Sequence, residues 1–172
     1  LYSKFEPIKD KLRFLKNVIV VGGEAPAGTI GFDAFIEGAS DQLEAAPTTP
    51  DDACFWLYSS GSTGQPKGTV HLQHDMVYAA ETYGKLVLGI QENDICFSAA
   101  KLFFAYGLGN GLYFPFSVGA TSVLMPVRPV PASVYETIAR YRPSLYFGVP
   151  TLYGSMLQDE GSLDGVRLCV SA

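Results

Sequence analysis

The feature that most constrains this chain is a loop rich in glycine and hydroxyl residues that directly follows an apolar run. The run is Ala53–Leu57, and the loop reads Tyr58-Ser59-Ser60-Gly61-Ser62-Thr63-Gly64-Gln65-Pro66-Lys67-Gly68. Glycines let backbone N–H groups turn inward, and successive inward N–H groups form an anion-binding nest. Four serine and threonine hydroxyls and the ammonium of Lys67 add further donors. The loop therefore predicts binding of a polyphosphate, and ATP is the obvious source.

Three other interpretations of glycine-rich segments fit less well. In a P-loop a lysine follows glycine directly and precedes serine or threonine, whereas Lys67 stands between Pro66 and Gly68. The earlier pair Gly22-Gly23 follows an apolar run but lacks the spacing of a dinucleotide fingerprint. A flexible linker seldom directly follows a strand or contains Pro-Lys-Gly. The phosphate-binding interpretation is the one we retain.

The ten residues Ser59–Gly68 resemble the phosphate-binding signature of the adenylate-forming superfamily, which includes acyl- and aryl-CoA synthetases, luciferases and peptide-synthetase adenylation domains. Two further segments agree with this resemblance. Lys101–Asn110 is similar to the aromatic-rich acyl-pocket segment of that family, and Tyr146–Tyr153 is similar to one of its strand-to-helix junctions. Within that family, the sequence Phe-Phe-Ala-Tyr-Gly-Leu-Gly is most similar to the corresponding sequence of benzoate–CoA ligases.

The resemblance implies an ATP-dependent, AMP-forming ligase. An aromatic carboxylate, benzoate or a close analogue, would attack ATP to give an acyl-adenylate, and the thiol of coenzyme A would then displace AMP. Mg²⁺ is expected to share the neutralisation of charge, and no residue of the chain is assigned as a metal ligand. Thr63 and Lys67 are the expected catalytic residues. The expected nucleotide-binding residues are Ser59, Ser60, Gly61, Ser62, Thr63, Gly64 and Lys67.

A flat aromatic acid needs a slot with an aromatic wall and a small residue opposite it. The segment Phe104, Ala105, Tyr106 and Gly107 supplies both kinds of residue, so we assign it to the substrate. Ordinary core packing of these aromatic side chains is the competing interpretation. The histidines His71 and His74 are interpreted as structural residues at a strand end and a helix start.

Several alternatives remain open at this stage. The acid could be 4-hydroxybenzoate or another aryl or acyl substrate, and the thiol acceptor could be a carrier protein instead of coenzyme A. A different class is a nucleotide-binding module without catalysis. The chain begins without Met and ends in an apolar run, so we expect a piece of a longer enzyme that is inactive alone. The adenine motifs and the small C-terminal domain are expected beyond Ala172.

The alternation of apolar runs with amphipathic segments predicts an α/β fold, a mostly parallel sheet flanked by helices within the large N-terminal domain of such an enzyme. Residues 1–52 are expected to end a preceding subdomain and to include a linker at 39–52, and residues 53–172 to form part of the AMP-binding subdomain. The carboxyl ends of strands 53–58, 95–98 and 144–149 are expected to meet at one edge of one sheet. The remaining expected elements are strands 18–21, 121–125 and 166–170, and helices 32–37, 74–87, 106–117, 131–141 and 150–159.

The net charge, the length of the apolar stretches and the cysteine content limit the kinds of partner and the cellular compartment that we expect. The net charge is −5 and no run of Lys and Arg occurs, which argues against nucleic acid as a partner. No apolar stretch approaches the ~20 residues of a membrane-spanning helix. Three widely spaced cysteines predict buried free thiols in a reducing compartment, so we expect a cytoplasmic protein. The sequence carries no signal for a particular oligomeric state.

Overall fold

The structure is a computed structural model that describes residues 2–60 and 64–172. The chain divides into two units, Leu1–Pro47 and Thr48–Ala172. The division falls inside the expected linker 39–52, so the end of that linker belongs to the second unit. Within the described residues, no helix combines the length and the apolar character needed to cross a bilayer.

The first unit contains only short elements, and none of its described residues is buried. Its two strands pair in parallel, with Ile19 opposite Ile30. The expected strand and helix of this unit are both present but shorter than predicted. The elements are α1 (Tyr2–Phe5), a 3₁₀-helix (Glu6–Lys11), β1 (Ile19–Val20), β2 (Ile30–Gly31) and α2 (Phe32–Ile36).

The second unit holds the remaining strands and helices, and two of its helices continue as π-helical turns. Its strands are β3 (Ala53–Ser59), β4 (Lys67–Leu72), β5 (Ile95–Ser98), β6 (Thr121–Leu124), β7 (Leu145–Gly148) and β8 (Leu168–Ser171). Its helices are α3 (Gln73–Ala79) with a π-helix (Ala80–Val87), α4 (Ala105–Leu108) with a π-helix (Gly109–Tyr113), α5 (Phe114–Phe116), α6 (Pro131–Tyr141) and α7 (Pro150–Met156).

The predicted α/β architecture is confirmed by a four-stranded parallel sheet with the strand order β6–β5–β7–β8. Side chains of a strand alternate between the two faces of a sheet. Phe97 and Tyr146 therefore pack on one face against α6 and α7, whereas Cys96, Leu145 and Phe147 pack on the other face against the helical segments that include Ala80 and Phe114. Burial on both faces explains why β5 and β7 are continuous apolar runs.

The prediction that strand 53–58 belongs to this same sheet is wrong. β3 instead pairs antiparallel with β4 in a separate two-stranded sheet, with Trp56 opposite Val70 and Ser59 opposite Lys67. The expectation that His71 lies at a strand end agrees with β4, but the start of this strand at Lys67, inside the glycine-rich segment, and its pairing with β3 were not predicted. The ring of Tyr58 covers Gly68 on the opposite strand, where an added Cβ would lie 3.1 Å from the ring. The segment predicted to bind polyphosphate therefore connects the two strands of a β-hairpin.

A charged cluster joins the amino ends of three parallel strands. Asp94, Ser144 and Arg167 immediately precede β5, β7 and β8. The Arg167 guanidinium donates to both Asp94 carboxylate oxygens at 3.1 and 2.6 Å, and the Ser144 hydroxyl donates to the same carboxylate at 2.6 Å. Burial opposes the charge of Asp94, but these bonds and the Gln91 N–H outweigh it and lower the pKa of Asp94 to about 2. The cluster lies at the edge of the sheet opposite the carboxyl ends.

This cluster predicts a specific dependence of stability on pH. An aspartate whose folded-state pKa is lowered stabilises the fold above its unfolded pKa, and that contribution is lost as the pH falls through the folded pKa. The difference between 3.8 and about 2 corresponds to about 2 kcal/mol. In thermal unfolding, the difference in midpoint between the wild type and Asp94→Asn should be constant down to about pH 4 and should decrease below that pH. Asp164→Asn, at an exposed position, should follow the wild type. A difference in midpoint that decreases already near pH 6 would contradict this role of Asp94.

Candidate active site

The described polar residues at the hairpin turn between β3 and β4 are exposed to solvent. Ser59, Ser60, Gly64 and Lys67 are all exposed. Gly64 has a φ of +81°, a left-handed conformation that side chains other than glycine's rarely adopt. Gly61, Ser62 and Thr63, three of the residues assigned to the nucleotide, lie outside the described residues. The described part of the loop therefore combines a glycine-dependent turn with a lysine at the first residue of the returning strand.

A cleft of about 710 Å³ lies at the carboxyl ends of the parallel strands. This volume is in the range of about 300–1,000 Å³ that is usual for small-molecule sites. Its walls come from the segments that follow β5, β6 and β7, and they include Phe104, Tyr106, Val130 and Leu152. The lining is mainly apolar, so the cleft has the chemistry expected for the non-polar part of a ligand.

The four residues assigned to the acid do not all face this cleft. Phe104 and Tyr106 line it. Ala105 is exposed and is not part of the lining, and Gly107 is buried against the backbone of the preceding loop. An added Cβ at Gly107 would lie 2.1 Å from the carbonyl oxygen of Lys101. The absence of a side chain at Gly107 therefore allows the loop to approach α4 closely. A contact of Ala105 or Gly107 with the acid stays a prediction.

The hydroxyl of Tyr106 lies within hydrogen-bond distance of two backbone carbonyl oxygens. It lies 3.1 Å from the carbonyl oxygen of Gly148 and 3.0 Å from that of Val170. Its ring meets the ring of Phe147 edge-on, with 6.4 Å between the centroids. Burial raises the pKa of Tyr106 to about 12, so the hydroxyl stays protonated and donates at neutral pH. Tyr106 is thus both a wall of the cleft and a connection to the ends of β7 and β8.

Two cationic side chains at the cleft were not identified from the sequence. The Lys101 ammonium donates to the carbonyl oxygens of Met125 and Val127, the latter at 2.6 Å, and so holds the segment that follows β6. Arg128, on that segment, is exposed and lines the cleft. The signal that could have found them is position, because both residues follow parallel strands at the edge where ligands bind.

The two histidines occupy the structural positions expected for them. His71 lies near the end of β4, stacks on Phe55 with 4.8 Å between the ring centroids, and has its Nδ1 atom 3.1 Å from the Asp75 carboxylate. The Leu72 N–H also donates to Asp75, and this bond is the main reason that the pKa of Asp75 is lowered. His74 lies in the first turn of α3.

The three cysteines differ in their burial. Cys96 is buried, Cys54 is partly buried and Cys169 is exposed, so the expectation that all three thiols are buried is wrong for Cys169. Burial raises the pKa of Cys96 to about 12, which makes its thiol a poor nucleophile. In the part of the chain that the structure describes, no three His, Cys, Asp or Glu side chains gather to hold a metal ion.

A glycine-dependent turn that ends at a lysine, and a cleft at the carboxyl ends of a parallel sheet, are features found in nucleotide-binding α/β proteins. Residues 3–172 match the family of AMP-binding enzymes, and the chain belongs to that family. It is 55% identical to a benzoate–CoA ligase of Thauera aromatica, over 100% of this chain and 33% of the relative. It is 44% identical to a 4-hydroxybenzoate–CoA/benzoate–CoA ligase of Rhodopseudomonas palustris, over 99% of this chain and 33% of the relative.

The similarity extends to three-dimensional structure. A crystal structure of the anthranilate CoA ligase AuaEII in complex with anthranoyl-AMP superimposes with a TM-score of 0.91 at 38% identity, over 99% of this chain and 34% of the other. This likeness confirms the predicted fold class. The chain spans about a third of the length of the relatives it matches.

Proposed function

We propose that this chain takes part in the ATP-dependent, AMP-forming ligation of benzoate or a close analogue to coenzyme A, through an acyl-adenylate. The observation that carries the proposal is the apolar cleft with the aromatic wall Phe104 and Tyr106 at the carboxyl ends of the parallel strands. A benzene ring is flat and apolar, and aromatic walls bind such rings through stacked and edge-to-face contacts. The names of the two curated relatives, both ligases of aromatic acids, support this choice.

We propose that the hairpin turn binds the triphosphate of ATP. Backbone N–H groups of a glycine-rich turn and serine or threonine hydroxyls would donate to the β- and γ-phosphates, and Lys67 would neutralise charge. The attack of a carboxylate on a polyphosphate brings two anions together, so positioned cations and donors lower the barrier. Thr63 and Lys67 would contact the reacting nucleotide. The full set assigned to ATP is Ser59, Ser60, Gly61, Ser62, Thr63, Gly64 and Lys67.

We propose that Mg²⁺ enters with the nucleotide. Magnesium is commonly held by substrate phosphates, one or two carboxylates and several waters, and does not require a cage built by the protein. When bound, the ion would reduce the charge on the phosphates that the carboxylate approaches. Of the residues assigned to the nucleotide, the structure describes Lys67 and the hydroxyl residues Ser59 and Ser60. We place the reaction in the cytoplasm, where free thiols such as those of this chain stay reduced.

A second substrate, 4-hydroxybenzoate, is favoured by the name of the relative from Rhodopseudomonas palustris, which includes both acids. A para-hydroxyl in an apolar cleft needs a polar partner, because an unpaired buried hydroxyl costs about 1–3 kcal/mol. Lys101, Arg128, Thr151 and Ser155 belong to the lining and could supply one, so the cleft accommodates either acid. We rank benzoate first because the identity to the benzoate–CoA ligase, 55%, is higher than the 44% to the ligase of both acids.

The test is formation of acyl-CoA and AMP from ATP and coenzyme A, with benzoate, 4-hydroxybenzoate and octanoate compared. Since the chain spans a third of its relatives, the experiment uses the longest open reading frame that contains it. We expect benzoyl-CoA and AMP in equal amounts, with the highest kcat/KM for benzoate. Preference for octanoate would overturn the assignment of the aromatic cleft. Tight ATP binding without turnover of any acid would favour a nucleotide-binding module.

A further inference from the structure

Two tyrosine hydroxyls converge on one backbone carbonyl. The carbonyl oxygen of Val170, in β8, lies 3.0 Å from the hydroxyl of Tyr106 and 3.1 Å from that of Tyr153. Each hydroxyl also lies close to a carbonyl of β7: Gly148 for Tyr106 at 3.1 Å, and Tyr146 for Tyr153 at 3.2 Å. We call Tyr106, Tyr153 and the carbonyl of Val170 the tyrosine clamp.

The tyrosine clamp connects two walls of the cleft. Tyr106 lies in α4 and lines the cleft directly, whereas Tyr153 lies in α7, the helix that contributes Thr151 and Leu152 to the lining. Both helices are thereby attached to β7 and to the edge strand β8. The ring of Tyr153 also packs over Gly148, where an added Cβ would lie 2.8 Å from the ring. Shared hydrogen bonds and packing together determine the position of each ring.

The clamp leaves Tyr106 no proton for a ligand. A tyrosine hydroxyl has a single hydrogen to donate, and here two backbone carbonyls lie within 3.1 Å of it. Burial raises the pKa of Tyr106 and that of Tyr153, so both hydroxyls remain protonated donors at neutral pH. Toward the cleft, Tyr106 therefore contributes the apolar part of its ring.

We infer that the tyrosine clamp is a positioning device that holds the Tyr106 ring in place as the aromatic wall of the cleft for the acid. This inference deepens the proposed function and depends on it. By holding the Tyr106 ring between α4, β7 and β8, the clamp offers the acid a rigid apolar wall.

The test uses Tyr106→Phe, Tyr153→Phe and the double variant of the enzyme encoded by the same reading frame. Phenylalanine keeps the ring and removes only the hydroxyl, so core packing is retained. Tyr135→Phe is the matched control, because the Tyr135 hydroxyl also donates to a backbone carbonyl, that of Met156 at 2.8 Å, and Tyr135 is not part of the cleft lining. The readouts are KM and kcat for benzoate and 4-hydroxybenzoate, together with the thermal unfolding midpoint.

We expect KM for benzoate to rise about 3- to 10-fold in each single clamp variant, a change of the size of one hydrogen bond, while kcat changes less than KM. Because phenylalanine and the clamped tyrosine both offer the acid no hydrogen-bond donor, KM for 4-hydroxybenzoate should rise by a similar factor, and the ratio of kcat/KM for the two acids should stay the same. The effects of the two changes should not be additive, since both hydroxyls share the Val170 carbonyl. Tyr135→Phe should lower the unfolding midpoint comparably while leaving KM and the ratio unchanged.

Kinetic constants of both clamp variants that equal those of Tyr135→Phe would overturn the inference and leave the proposed function intact. If Tyr153→Phe does not fold, unchanged constants in Tyr106→Phe alone are sufficient to overturn it. A folded wild-type enzyme that converts no acid would overturn the proposed function, and the inference with it. The two failures are therefore distinguished by the wild-type measurement.

Discussion

Replacement of Gly107 by alanine should destabilise the protein by about 3 kcal/mol, at the upper end of the range for overpacking a buried position. The added Cβ would lie 2.1 Å from the carbonyl oxygen of Lys101 and 2.6 Å from that of Ala100. These atoms belong to the backbone, so no side-chain rotation relieves the clash. The Lys101 carbonyl also accepts the Phe104 N–H at 3.0 Å, and its displacement would move one wall of the cleft. Thermal unfolding of the full-length enzyme should show a midpoint lowered by about 3 °C, since the shift per kcal/mol decreases as the chain becomes longer.

Gly154→Ala is the matched control for this prediction. Gly154 lies in α7, and an added Cβ would have no heavy atom within 4 Å. Because alanine is the better helix former, this change should stabilise the protein by up to about 1 kcal/mol. Equal unfolding midpoints of the two variants would contradict the close contact that we describe at Gly107.

Removal of the Lys67 ammonium should slow acyl-adenylate formation about 10²- to 10³-fold, the usual effect of deleting one group that stabilises developing charge. Lys67 is exposed at the first residue of β4, opposite Ser59, so its side chain contributes little to the core. We therefore expect Lys67→Ala to retain the wild-type unfolding midpoint within about 2 °C, as substitutions at exposed positions usually do. The measurement is carboxylate-dependent exchange of pyrophosphate into ATP, together with thermal unfolding.

Lys85→Ala serves as the control for loss of a positive charge. Lys85 pairs with Glu81 in the π-helical turn that follows α3, and such exposed pairs contribute little to stability. Its exchange rate should match that of the wild type. A Lys67→Ala enzyme with a wild-type exchange rate would contradict the role proposed for the hairpin turn.

The parallel sheet was predictable because its strands carry the pattern of a fold covered on both faces. The runs 95–97 and Leu145–Gly148 lack charged residues and are mostly apolar, and Pro131 and Pro150 begin the helices that follow their neighbouring strands. Local sequence thus specifies each element and its type. The order of strands in the sheet depends on pairing between distant segments, which local patterns do not encode.

The hairpin was missed for a physical reason. The segment Lys67–Leu72 is mostly exposed and begins Lys-Gly-Thr, so it lacks the apolar run that marks a buried strand. Its pairing with β3 comes from backbone hydrogen bonds and from the packing of Tyr58 over Gly68. Such contacts depend on the partner strand, so the sequence of β4 alone does not reveal them.

The residues of the cleft were likewise only partly predictable from the sequence. Composition and resemblance pointed to Phe104 and Tyr106, because aromatic residues after a strand are a local feature. The acceptors of the Tyr106 hydroxyl, Gly148 and Val170, lie 42 and 64 residues further along the chain. Their carbonyl groups are common to every residue, so only the folded structure could identify them.

The central claim is that this chain helps to form an aryl-adenylate. Its most direct test is exchange of labelled pyrophosphate into ATP by the full-length enzyme without coenzyme A, with benzoate as the carboxylate. The reverse reaction of an adenylate regenerates ATP, so exchange requires the intermediate and no thiol. We predict exchange that depends on benzoate and that Lys67→Ala reduces about 10²- to 10³-fold. Absence of benzoate-dependent exchange in a folded enzyme that binds ATP would contradict the account.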